Sequence, residues 1–121
     1  MAVDITILHT TDNVDWQVLR DMLQRALLEL SLDAEVSCHA VRSDREALEL
    51  GFIGSPTLLI DGVDPWPVPD AAAGLRLRPY FTDDGMVDYP TYEMLVASLK
   101  EHVEREARAG RGAVATTDKP A

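Results

Sequence analysis

The chain has 121 residues, 46% hydrophobic and 26% charged, the composition of one globular domain with its own core and not of a disordered chain. Its 21 acidic and 11 basic residues give a formal net charge of -10, a field that repels nucleic acid and anionic membrane surfaces and argues against both as partners. The sequence holds no apolar run of membrane-spanning length, and "MAVDITILHT" lacks the basic and apolar regions of a secretory signal, so a cytoplasmic location is expected.

In chain order, "VDITILHT" at Val3–Thr10 is short, apolar and β-branched, which predicts a buried first strand. The period then changes. Trp16, Leu19, Leu23, Ala26, Leu27 and Leu30 recur at helical steps and predict a helix with one apolar face. Asp12 and Asn13 stand ahead of it as expected N-caps, and Asp15 suits the positive end of its dipole. "AEVSCHAVR" at Ala34–Arg42 alternates Val36, Cys38 and Ala40 with polar residues, so a strand is expected with Cys38 buried on its covered face. As the only cysteine, Cys38 forms no internal disulfide.

"SDREALELG" opens with Ser43, places Glu46 three residues later and closes on Gly51, which predicts a short helix with a capping box. "PTLLID" at Pro56–Asp61 predicts a strand with proline at its start, ended by Asp61 and Gly62. Pro65, Pro67 and Pro69 then impose a stiff loop around Trp66. "LRLRPYF" at Leu75–Phe81 is expected as an edge strand because it contains Pro79, and Asp83 and Asp84 as a turn after it. Tyr92, Leu95, Val96, Leu99 and Val103 predict a last helix. The expected organisation is one α/β domain over 1–108, ordered β-α-β-α-β-β-α, and a disordered tail over 109–121.

This order, with "GSPT" at the head of the third strand, resembles the thioredoxin-like fold over roughly residues 3–105. More narrowly, the chain resembles small single-domain thioredoxin-family proteins, some of them labelled as related to alkylmercury lyase. The resemblance implies a central mixed sheet flanked by helices and makes Pro56 a cis-proline. It also sets "NVDW" in the place of Cys-Pro-x-Trp, so that Asn13 stands at the nucleophile position and Trp16 at that of the resolving cysteine. Such a cysteine works as a thiolate held by the helix start, and Asn13 supplies no thiolate. A cis Pro56 is expected to leave backbone groups of Ser55 and Thr57 open to an extended ligand.

The implied function is therefore a redox-inactive binding or interaction module. Its groove is expected at Asp12, Asn13, Val14, Trp16, Ser55, Pro56, Thr57 and Trp66, with no cofactor, and with a protein or peptide partner or a small thiol ligand. The alternative is a one-cysteine thiol oxidoreductase or transferase with Cys38 as the catalytic candidate; an organomercurial connection, needing more than one thiolate, ranks last. His9, His39 and His102 are far apart and lack ligand spacing, so no metal site is expected. Trp16 reads most simply as core, Trp66 as cover for a core edge or as a contact residue. No Ser-His-Asp arrangement or phosphate loop is present.

Overall fold

In the computed structural model the description covers residues 2–118, with side chains described for residues 2–109. The elements are β1 (Val3–His9), α1 (Asp15–Glu29), β2 (Ala34–Ala40), α2 (Asp44–Leu50), β3 (Thr57–Ile60), β4 (Tyr80–Thr82), β5 (Gly85–Val87) and α3 (Tyr92–Asp118). The fold is mixed α/β. β1 lies at the centre of a three-stranded sheet, parallel to β2 and antiparallel to β3, and β4 and β5 form a separate antiparallel pair.

Strand alternation sorts the core into two layers. Ile5, Ile7, Leu58 and Ile60 meet Leu19, Leu23, Ala26 and Leu27 of α1 and Leu95 and Leu99 of α3. On the opposite face Leu8 packs with Val41, Ala47 and Phe52, beside Leu59. The sheet is thus sandwiched by α1 and α3 on one side and α2 on the other. Burial of these apolar groups is the main term that holds the layers together.

The ends of α1 differ from the sequence expectation. Asp12 and Asn13 do not cap it: Val14 occupies the N-cap with no side-chain bond, because the Asn13 amide is engaged elsewhere. At the other end Ser31 takes a left-handed φ of 53°, and Leu32 N–H reaches Leu27 O at 3.0 Å while Ser31 N–H reaches Leu28 O at 3.1 Å. This is a Schellman closure made without glycine. α2 begins as its sequence indicates, with Ser43 Oγ accepting from Glu46 N–H at 3.1 Å. The Glu46 carboxylate reaches back to Arg42 N–H at 2.8 Å, one residue before the cap, and also binds His39 Nε2 at 2.7 Å.

Cys38 is exposed, contrary to the expected burial. β2 is an outer strand, and alternation identifies a face without guaranteeing that something covers it. The stretch Leu75–Phe81 is not a continuous strand either. Leu77 makes a single parallel bridge to Ser55, and regular pairing begins only at Tyr80, after Pro79. Asp83 and Asp84 turn β4 into β5. The backbone of α3 is helical as far as Asp118, within the stretch expected to be a tail; residues 119–121 of that stretch lie outside the description.

Candidate functional site

The carboxyl end of β1, the loop into α1 and the turn into β3 meet at one end of the sheet. The Ser55–Pro56 peptide there is cis. Ser55 is buried, and its hydroxyl accepts from Thr10 N–H at 3.1 Å and donates to Asn13 Oδ1 at 3.1 Å. Asn13 Nδ2 donates in turn to Asp15 Oδ2 at 3.3 Å. The amide at this loop is therefore a buried clasp between β1, the start of α1 and the turn before Pro56, engaged through both its oxygen and its nitrogen.

Ser55 also spends both backbone groups inside the molecule. Its N–H donates to Arg76 O at 2.8 Å, and Arg78 N–H donates to its carbonyl at 2.9 Å. The expectation that Ser55 and Thr57 present open backbone beside Pro56 is thus corrected. Residues 76–78 lie along Ser55, and Thr57 is paired with Leu8 in the sheet. Close approach makes this possible at Gly54, where a Cβ would sit 2.6 Å from Arg78 Cβ. In a parallel bridge of this kind the N–H and C=O of Leu77 point away from Ser55, and neither has a partner among the described residues.

Above this strap lies a cleft of about 340 Å³ lined by Thr10, Thr11, Asp12, Val41, Arg42 and Leu75–Leu77. Leu75 and Leu77 are exposed, and the buried Thr10 Oγ1 has no hydrogen-bond partner among the described residues. Arg76 is held by the carbonyls of Ile53 and Ala72. Beside the cleft His9 Nδ1 donates to Thr10 O at 2.8 Å, which fixes the proton on that nitrogen. The His9 ring stacks on Trp16 at 4.2 Å, and the Arg20 guanidinium lies 5.3 Å from the Trp16 ring centre.

Arg78, which sequence reading passes over, anchors the whole turn from beneath. Its buried guanidinium binds Asp64 at 2.7 Å, Thr57 Oγ1 at 3.2 Å and the Trp66 carbonyl, and lies 4.7 Å from the centre of the Tyr80 ring. The Tyr80 hydroxyl donates to Pro56 O, and burial pushes that phenol far above its ordinary value. Asp64 accepts from Trp66 N–H at 2.8 Å, so the proline-rich loop starts from the same carboxylate.

Of the residues expected in the groove, Asp12 lines the cleft, Val14 is exposed nearby in sequence, and Asn13, Ser55, Pro56 and Thr57 form its buried support. Trp16 packs on His9 against the core. Trp66 is elsewhere: it meets Tyr80 edge-on at 5.8 Å and lines a cavity with Asp61 and His102. Thr10, Leu75 and Leu77 were not singled out, and only the position of Leu77 within "LRLRPY" hinted at it. Burial raises the Cys38 thiol above its ordinary value, and the nearby charge of Arg20 opposes this only in part. An exposed thiol with a raised value is a weak nucleophile at neutral pH.

No family model, curated protein or solved structure matches this chain. Among the described residues no helix is long and apolar enough to cross a membrane.

Proposed function

We propose that this chain is a thioredoxin-like domain without dithiol chemistry, acting as a binding module whose cleft beside Pro56 takes an extended peptide or protein segment. One observation carries the reading. The Leu77 edge offers an N–H and C=O without a partner among the described residues, beside exposed Leu75 and Leu77. An incoming strand could satisfy the backbone groups while its alternate side chains cover the leucines. The cis Ser55–Pro56 bond and the β2-β1-β3 order support the family part of the reading. Asn13, a buried amide bonded to Ser55 and Asp15 at the loop before α1, supports the loss of redox chemistry.

The test is a displayed-peptide selection against the wild-type chain, with selected peptides measured on Leu77→Lys. Loss of binding by about tenfold or more is expected, the scale of removing a well-packed interface contact. Equal binding to both proteins would overturn the assignment to this cleft, and catalytic reduction of insulin disulfides would overturn the redox-inactive part. The exposure of Cys38 favours the second reading, a one-cysteine oxidoreductase or transferase, and its raised thiol opposes it.

A further inference from the structure

The end of the sheet opposite the cleft holds a second set of polar groups that the binding reading does not use. β3 reverses through Asp61 and Gly62, with Ile60 and Val63 exchanging bonds of 2.8 and 3.0 Å. The reversal sets Asp61 against the start of β1. Asp61 N–H donates to Asp4 O at 2.7 Å, and Asp61 Oδ1 accepts from Asp4 N–H at 2.9 Å. The other carboxylate oxygen, Oδ2, faces α3 and lies 2.7 Å from His102 Nε2. Glu106 follows one helical turn later on the same face, and one ligand atom from each of the three residues lies within 4.8 Å of the other two.

We propose that Asp61, His102 and Glu106 bind a divalent transition-metal cation of the zinc class. A hydrogen bond accounts for Asp61 and His102 as a pair, but it does not account for Glu106. Among the described residues the Glu106 carboxylate has no ion-pair or hydrogen-bond partner, and the nearby cation Arg105 is committed to Glu101 at 3.1 Å. The cluster therefore brings two carboxylates to one imidazole with little local compensation, inside a chain of formal charge -10.

The geometry suits an ion. Nitrogen and oxygen ligands sit about 2.0–2.2 Å from zinc, so two neighbouring ligands in tetrahedral geometry lie about 3.3–3.6 Å apart. The 2.7 Å separation of His102 and Asp61 has to widen by about 0.6–0.9 Å as the ion replaces the shared proton, a shift that a side-chain rotation of the partly exposed Asp61 can supply. His102 is 7% exposed and presents Nε2 to the site, and the Asp4 amide fixes the Asp61 carboxylate from behind, the kind of outer support that orients metal ligands. Three protein ligands leave a coordination position toward a cavity of about 570 Å³ whose wall includes Trp66 and Ser98. An imidazole among the ligands favours zinc-class ions over magnesium, which prefers all-oxygen octahedra. Sequence spacing shows only half of this, since His102 and Glu106 share a helix face while Asp61 arrives from another element.

The experiment is calorimetric titration of the chelator-treated full chain with Zn²⁺ near neutral pH, with tryptophan emission followed in parallel. One ion per chain is expected, with Cys38→Ser unchanged and Mg²⁺ giving no binding. Glu106→Gln, at an exposed position with no partner among the described residues, should weaken zinc binding by at least about tenfold, since losing a ligand costs no less than losing an outer support, without altering the metal-free melting temperature. His102→Ala should abolish binding, and the Glu106 variant decides the matter if that protein does not fold. Absence of binding by the wild-type chain, binding undiminished in Glu106→Gln, binding lost in Cys38→Ser, or equal binding of Mg²⁺ overturns the proposal.

Discussion

At the scale of single residues, two side chains separate chemistry from architecture. Cys38 is open to solvent, yet burial of its surroundings raises its thiol, with Arg20 acting in the opposite direction. A raised thiol is less ionised at any pH near neutrality, so alkylation by iodoacetamide should be slower at pH 7 than for a free cysteine and should rise toward higher pH. A rate profile with its midpoint below the free value of about 8.5 would restore the one-cysteine enzyme reading. Arg78 is the converse case, a charge whose role is to hold the turn in place. Its guanidinium is 3% exposed and its partner Asp64 19%. Asp64→Ala leaves that cation unpaired and is expected to cost about 3 kcal/mol in chemical denaturation, against under about 1 kcal/mol for an exposed pair such as Arg45–Glu49.

At the scale of elements, the helix ends show where local sequence was sufficient. The apolar face of α1 and the Ser43 cap of α2 were legible because both depend on residues within a few positions of one another. The closure of α1 was not, because Ser31 occupies a left-handed position where glycine is the usual signal. Ser31→Gly is expected to raise stability by roughly 0.5–1 kcal/mol, read as a shift in the denaturation midpoint at unchanged slope. A destabilisation would mean that the Ser31 side chain contributes something the backbone account omits. The strand expected over Leu75–Phe81 began too early and β5 was not anticipated, for a related reason. β4 and β5 have three residues each, too few for alternation to stand out. The site was legible only as a location. "GSPT" drew attention to Pro56, but the strap of residues 76–78 and the Arg78–Asp64 pair depend on contacts between distant parts of the chain that no local pattern encodes.

At the scale of the whole molecule, the two ends of the sheet are built differently. One end gathers Thr10, Asn13 and Ser55 into a closed hydrogen-bond network beneath an open cleft. The other ties β1, the β3 turn and α3 together through Asp61. The Asp4 amide, opposed by burial and aided by His102, holds the Asp61 carboxyl below its ordinary value. A depressed carboxyl contributes stability above its unfolded value and loses that contribution as pH falls through the folded one. The stability difference between wild type and Asp61→Asn should therefore be full above about pH 4 and shrink below it in denaturation series at stepped pH. A difference that is constant across that range would mean that the carboxylate charge is not what joins these elements.

The account rests most heavily on the cleft beside Pro56 as a docking surface for extended chain. The most direct measurement is amide chemical-shift mapping of the wild-type chain with a peptide obtained by display selection. The account predicts perturbations concentrated at Thr10, Thr11, Asp12, Val41 and Leu75–Leu77, with the Leu77 amide among the largest because it gains a hydrogen bond. Perturbations gathered on the Cys38 edge of β2 or around Asp61 and His102, with the Leu77 amide unmoved, would contradict it.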